Sequence, residues 1–258
     1  VSIKKGESVV LSGGVSEVSS RTLKTTFEFE KDKRIPRDNF QHCLINAAHQ
    51  FLNKQGDESY ILAGYPWFKC RARDMFISLP GLTLAINEVE KFEMLMETAC
   101  KAVRAFINDE PTDLKIYEIE HPDILLWAVW CIQQYAKIVS REKCREKYGE
   151  ILEEIMECLR HENHPNLFIH SNGLLYTNGH DKAVTWMNST ANGRPVIPRT
   201  GYVVEINALW YNALRFVADL LGEKESTMLT EALNKQAEQT GASFVNVFLN
   251  EHGYLLDY

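Results

Sequence analysis

The 258-residue chain has no CxxC pair, no HxxxH or HExxH spacing, no Lys/Arg block and no Gly-rich phosphate loop. None of its apolar runs approaches the ~20 residues of a membrane span, and no signal peptide is visible. Each absence removes a class. The six cysteines (43, 70, 100, 131, 144 and 158) are scattered, several on apolar helical faces, so a zinc site and a disulfide framework are not expected. His161 and His164 near a helix end read as surface residues, and no metal or other cofactor is called for. A net charge of −7 with pI about 5.7 argues against nucleic acid and anionic membrane as partners. Reduced thiols favour a cytoplasmic setting.

With 45% hydrophobic residues the chain can bury one large core with a small appendage. Residues 1–31 alternate in the manner of strands, with Gly13-Gly14 between them, and residues 31–37 read as a charged linker ending at Pro36 and Arg37. This divides the chain into residues 1–37, a β-strand tail, and residues 38–258. Val1 without a preceding Met, and a pattern still running at Leu255-Leu256-Asp257-Tyr258, suggest a piece of a longer polypeptide.

From Asp38, placed to cap a helix, the period becomes helical: Phe40, Cys43, Leu44, Ala47, Ala48 and Phe51 fall on one stripe. Pro80-Gly81 should interrupt the apolar segment Met75–Leu84. Helices are then expected around Phe92–Phe106, Asp123–Val139, Glu142–Arg160, Ile206–Leu220 and Glu225–Leu249. Long aromatic and polar loops (59–73, 109–121 and 163–204) recur after every second helix and should gather at one end. A pocket at the end of an α/α barrel fits this spacing, and so does a plain bundle.

Three groups of residues could carry chemistry. Arg73-Asp74 follows the aromatic loop 62–68. It reads either as a salt-bridged helix start or as a carboxylate that binds sugar hydroxyls beside a guanidinium. Asp123, with Trp127 and Trp130 on its face, has the same two readings. Trp186-Met187-Asn188 with Arg199 and Glu205 is costly to bury unless its charges pair, and it combines polar groups with a ring for a sugar face.

Ala63-Gly64-Tyr65-Pro66-Trp67-Phe68, Arg73-Asp74 and Leu79-Pro80-Gly81-Leu82 resemble the glucosidase domain of glycogen debranching enzymes. So do Thr185-Trp186-Met187, Pro198-Arg199 and residues 204–214 (VEINALWYNAL). This family belongs to the α/α-toroid glycosidases that include glucoamylases. The resemblance implies a mainly α chain: an (α/α)6-toroid-type helical domain, incomplete here, after strands of an upstream β-sandwich. It implies inverting hydrolysis of α-1,6-linked glucose at branch points of glycogen or maltodextrin, with an acid and a base ~6.5–9.5 Å apart. It places the acid directly after Thr-Trp-Met, where this chain has Asn188, and the base beyond Tyr258. An amide donates no catalytic proton; Asp181 and Glu205 are the nearest carboxylates that could substitute. Trp67, Arg73, Asp74, Asp123, Trp186, Arg199, Glu205 and Asn207 would bind the glucose. The second reading is a non-catalytic α-glucan-binding or scaffold module. Faces left uncovered would favour self-association.

Overall fold

The computed structural model describes residues 2–14, 18–64, 67–223 and 227–257, and the chain forms two compact units, residues 1–50 and 51–258. Each is described by itself.

In the first unit, α1 (Leu23–Asp32) and α2 (Phe40–Phe51, whose last residue opens the second unit) are the regular elements. The N-terminal strands expected over residues 1–31 are not formed among the described residues; α1 stands where the second was expected. Strand alternation in LKTTFEFEKD needs a neighbouring strand to take its backbone groups, whereas a helix satisfies them internally. Lys31–Glu28 and Lys33–Glu30 pairs at i,i+3 favour the helix further. Asn39, not Asp38, caps α2: its side chain accepts from the His42 N–H at 2.8 Å, while Asp38 holds the His42 ring. Phe40 and Leu44 of the anticipated stripe are exposed.

The second unit begins with a hairpin, β1 (Leu52–Gln55) and β2 (Glu58–Ile61). There follow β3 (Cys70–Arg71), α3 (Ala72–Leu82), α4 (Val89–Ile107), β4 (Ile116–Tyr117), α5 (Ile124–Ala136) and α6 (Arg141–Arg160). Pro80 does not break α3 midway; it falls in the last turn, and the helix ends two residues later. Two hairpins come next, β5 (Leu167–Ile169) with β6 (Leu175–Thr177) and β7 (Thr190–Ala191) with β8 (Arg194–Pro195). The helices α7 (Val204–Leu221) and α8 (Met228–Phe248) complete the chain's regular structure. The protein is mainly α. None of its described helices is long and apolar enough to cross a membrane.

Ion pairs and amides fix the direction of these helices. Arg73 at the start of α3 is clamped to Asp123 at the start of α5. Further along, Gln133 of α5 and Asn212 of α7 exchange amide hydrogen bonds at 3.0 and 3.1 Å. Arg141, just past α5, reaches Asp219 and Glu223 at the end of α7. Thus α3, α5 and α7 run side by side in one direction. The helices α4 and α6 return: Glu93 near the start of α4 meets Tyr135 at the end of α5 and Lys143 and Lys147 of α6. Arg104 near the end of α4 meets Glu150 and Glu154. Phe92, Tyr135, Ile155, Trp210 and Leu214 are among the core side chains between the layers. The loops before α3, α5 and α7 therefore lie at one end. All six cysteines are free thiols, and burial pushes the Cys70 thiol up to about 11.

Candidate carbohydrate site

Parallel strands β3 and β4 hold two of these loops together, pairing Cys70 with Ile116 and Arg71 with Tyr117. The aromatic loop before β3 closes on itself: Phe68 N–H donates to the Gly64 carbonyl at 2.8 Å and Ala63 N–H to Lys69 at 3.1 Å. A Cβ on Gly64 would lie 2.4 Å from the Phe68 ring, so a side chain there would push that ring aside. Tyr65 and Pro66 of the expected motif lie outside the described residues. Trp67 presents its ring to solvent at 83% exposure, a large apolar face.

Behind it, Arg73 and Asp123 form a buried bidentate pair. Nε and Nη2 of Arg73 donate to Oδ2 and Oδ1 at 2.7 and 2.8 Å, and both side chains are almost fully covered. The Trp127 indole N–H adds a third hydrogen bond to Asp123 at 3.1 Å, and Arg73 Nη2 lies 2.9 Å from His121 Nδ1. Asp123 stands at the N-cap position of α5, yet its side chain caps nothing. The carboxylate is spent on Arg73 and Trp127, as in a salt-bridged helix start. Burial, and then the Arg73 charge, push the His121 imidazole below its ordinary pKa. Asp74 is exposed as a residue; partial burial of its carboxyl, helped by the Glu118 charge, holds the pKa above the usual carboxylate value against the lowering pull of Arg71 and Arg73.

A second buried guanidinium organises the loop before α7. Arg199 takes both oxygens of Glu205, donates to Thr185 Oγ1 at 3.1 Å and to Asp257 Oδ1 at 2.6 Å. The backbone N–H of Val204 donates to the Asp257 carbonyl at 3.0 Å. A Cβ on Gly179 would meet the Arg199 backbone at 2.9 Å, so glycine is required there. Thr185 in turn accepts from the Met187 N–H at 3.4 Å, which fixes the turn carrying Trp186, itself 64% exposed. Asn188 lies in that turn, half-buried, its N–H donating to the Trp186 carbonyl at 2.9 Å. The adjoining β7–β8 hairpin turns on Asn192 and Gly193, both at positive φ, as a two-residue Asn-Gly loop requires.

The structure thus joins Arg73 to Asp123 and Arg199 to Glu205, at one end of the bundle with Trp67 and Trp186. Two of the anticipated residues behave differently. Asp181 is exposed and its carboxylate meets only the neighbouring His180 ring, at 3.1 Å, among the described residues. Asn207 is fully buried, and its amide is committed to backbone: it accepts from Leu175 N–H at 2.7 Å and donates to the Leu175 and Val203 carbonyls at 3.0 and 3.1 Å. It therefore ties β6 to α7 and has no polar atom left for a sugar. Asn207→Ala leaves the Leu175 groups unpaired and should cost about 2 kcal/mol, read as a lower urea midpoint; an unchanged midpoint would refute this assignment.

His121, Thr185 and Asp257 join the clusters without a role expected for them from sequence, since their partners are distant or across a turn. A groove of about 700 Å³ at the other end, near Gln133, Arg141 and Asn212, is lined by mutually paired charges and amides. It has no exposed aromatic face of the kind Trp67 and Trp186 offer.

Paired buried arginines and exposed aromatic rings thus lie on loops at one end of an α-helical bundle. The sequence matches the family model for amylo-alpha-1,6-glucosidase over residues 46–258, and the chain belongs to that family. It is a glycosidase domain of the glycogen-debranching type, whose substrates are carbohydrates. A comparison with curated proteins finds no match.

Proposed function

We propose that this chain binds the α-1,6-linked glucose at branch points of glycogen or related α-glucans and takes part in its hydrolysis with inversion. The observation that carries the reading is the pair of buried clusters, Arg73–Asp123 and Arg199–Glu205, set beside exposed Trp67 and Trp186 at one end of the bundle. Burying two guanidiniums serves no packing purpose that apolar side chains would not serve better. It does serve to hold loops rigid under a sugar. In this reading residues 38–258 are part of an α/α-toroid domain, in a cytoplasmic protein.

Trp67 and Trp186 supply the apolar faces for glucose, and Asp74 and Asn188 are the polar side chains left open at its edge. Arg73, Asp123, Arg199 and Glu205 hold the loops. Both oxygens of Glu205 accept from Arg199, so its task is to fix that guanidinium. Exposed Val245, Leu249, Tyr254 and Leu255 would support self-association, which light scattering over a concentration series reads.

A second reading, a glucan-binding module without turnover, is favoured by one residue. Asn188 has no proton to give where the family's acid stands. Calorimetric titration with isomaltose and panose, beside a glucose-release assay, separates the two. Binding with release of β-glucose supports the hydrolase; binding without release supports the module. In a longer protein that also carries the base expected beyond Tyr258, Asn188→Asp should raise release at least ~100-fold, the usual scale of a general acid. No binding of either sugar would overturn both readings.

A further inference from the structure

The β5–β6 hairpin is anchored far more firmly than a surface loop requires. Its turn carbonyls at Ser171, Asn172 and Gly173 accept from Gln239 Nε2 at 2.6 Å, Ser243 Oγ at 2.7 Å and Thr240 Oγ1 at 2.9 Å, all from α8. The buried Trp210 indole N–H of α7 adds a further bond to Gly173 at 3.2 Å, and Asn207 pairs with Leu175. Gly173 at φ +83° makes the turn possible.

This fixed hairpin carries an aromatic cluster. His170, exposed, stacks on Tyr176 with ring centroids 4.7 Å apart, and Tyr202 meets both edge-on at 5.3 and 6.0 Å. Tyr202 lies just before α7, three residues after Arg199, and Gly201 beside it bridges to Thr177 of β6. The cluster therefore shares a loop with the candidate site.

Its hydrogen bonds favour one His170 tautomer. Asn172 Oδ1 accepts from Leu174 N–H at 3.1 Å, which orients the amide so that Nδ2 donates to the Tyr202 oxygen at 3.3 Å. The Tyr202 hydroxyl hydrogen can then be donated to His170 Nδ1, 2.7 Å away. With Nδ1 accepting, the imidazole proton sits on Nε2. A ring on a rigid support, with one oriented N–H, matches a sugar unit that offers an apolar face and a hydroxyl oxygen.

We infer that His170, Tyr176 and Tyr202 form a subsite for a glucose unit of the α-1,4-linked chain that carries the branch, beside the pocket for the branch glucose. This rests on the glucan-site reading above. The test compares isomaltose with an α-1,6-glucosylated maltotetraose by calorimetry on the full chain. The longer sugar should bind wild type at least tenfold tighter, and His170→Ala should remove about tenfold of that gain, the worth of roughly one hydrogen bond and a ring contact. In ¹⁵N spectra the imidazole should show its proton on Nε2, and Tyr202→Phe should turn it into a tautomer mixture while lowering the gain part-way.

If wild type binds both sugars and His170→Ala weakens them equally, or leaves the gain intact, the subsite is overturned and the glucan site stands. A proton found on Nδ1 overturns it as well. Should wild type bind neither sugar, the glucan-site reading fails and the subsite with it.

Discussion

Arg73→Met alone should destabilise the protein by about 3–5 kcal/mol, because it leaves the Asp123 carboxylate buried without its counter-charge. Asp123→Leu should cost a comparable amount for the mirrored reason. The double variant should recover most of the loss, since two apolar side chains of similar volume remove both desolvation penalties together. Recovery stays incomplete because the Trp127 indole N–H loses its acceptor along with Asp123. Urea unfolding of the four proteins measures the coupling. If the double variant loses as much as the two single variants combined, the pair is not the coupled unit its geometry implies. The double variant also separates stability from recognition: folded, yet with the loops before α3 and α5 unclamped, it should bind glucan worse than wild type.

Acidification should weaken the fold well before the carboxylates titrate. His164 is buried, its ring meets Phe106 edge-on at 5.4 Å, and Nδ1 accepts from the Asn166 N–H at 3.2 Å. Burial, the dominant cause, pushes its pKa down to about 4. The fold thus favours the neutral ring. Its contribution is complete above the unfolded value near 6.5, declines as pH falls toward 4, and is gone below that. The full difference is about 3 kcal/mol, of which about 2 kcal/mol should be lost between pH 7.5 and 5. His121, lowered in the same direction, adds to the effect. In His164→Gln the pH dependence over this interval should flatten by about that much. Parallel pH curves for wild type and variant would show that the buried imidazole does not set it.

Much of the helical body could be read from periodicity. The stripe Phe92, Leu95, Met96, Ala99 and Val103 is the buried face of α4, and α6 and α7 begin and end within a few residues of their expected limits. The strands were harder. Residues 52–55 face solvent nearly throughout, so β1 has no alternation to reveal it, although Gly56 at φ +64° marks the turn. The N-terminal alternation was genuine and still misleading, since whether such a segment forms a strand depends on a neighbour that its own residues do not specify.

For the candidate site, the residue types were legible and the partnerships were not. Arg73 and Asp123 are 50 positions apart, and no local rule connects them. Asn207 sits in a polar-aromatic motif, which made it look like a ligand; only its place on the buried side of α7 shows that it serves the hairpin. The aromatic cluster of His170, Tyr176 and Tyr202 was spread over two loops and gave no signal in either alone.

The anchoring of the β5–β6 hairpin also constrains the length of α8. Gln239, Thr240 and Ser243 occupy one angular sector of that helix, and each residue advances the sector by about 100°. Inserting one residue between Met228 and Gln239 would swing all three donors away from the hairpin turn. Inserting a near-integral number of turns would return them to phase, though displaced along the axis by about 5 Å per turn. The helix segment before Gln239 therefore cannot vary freely in length.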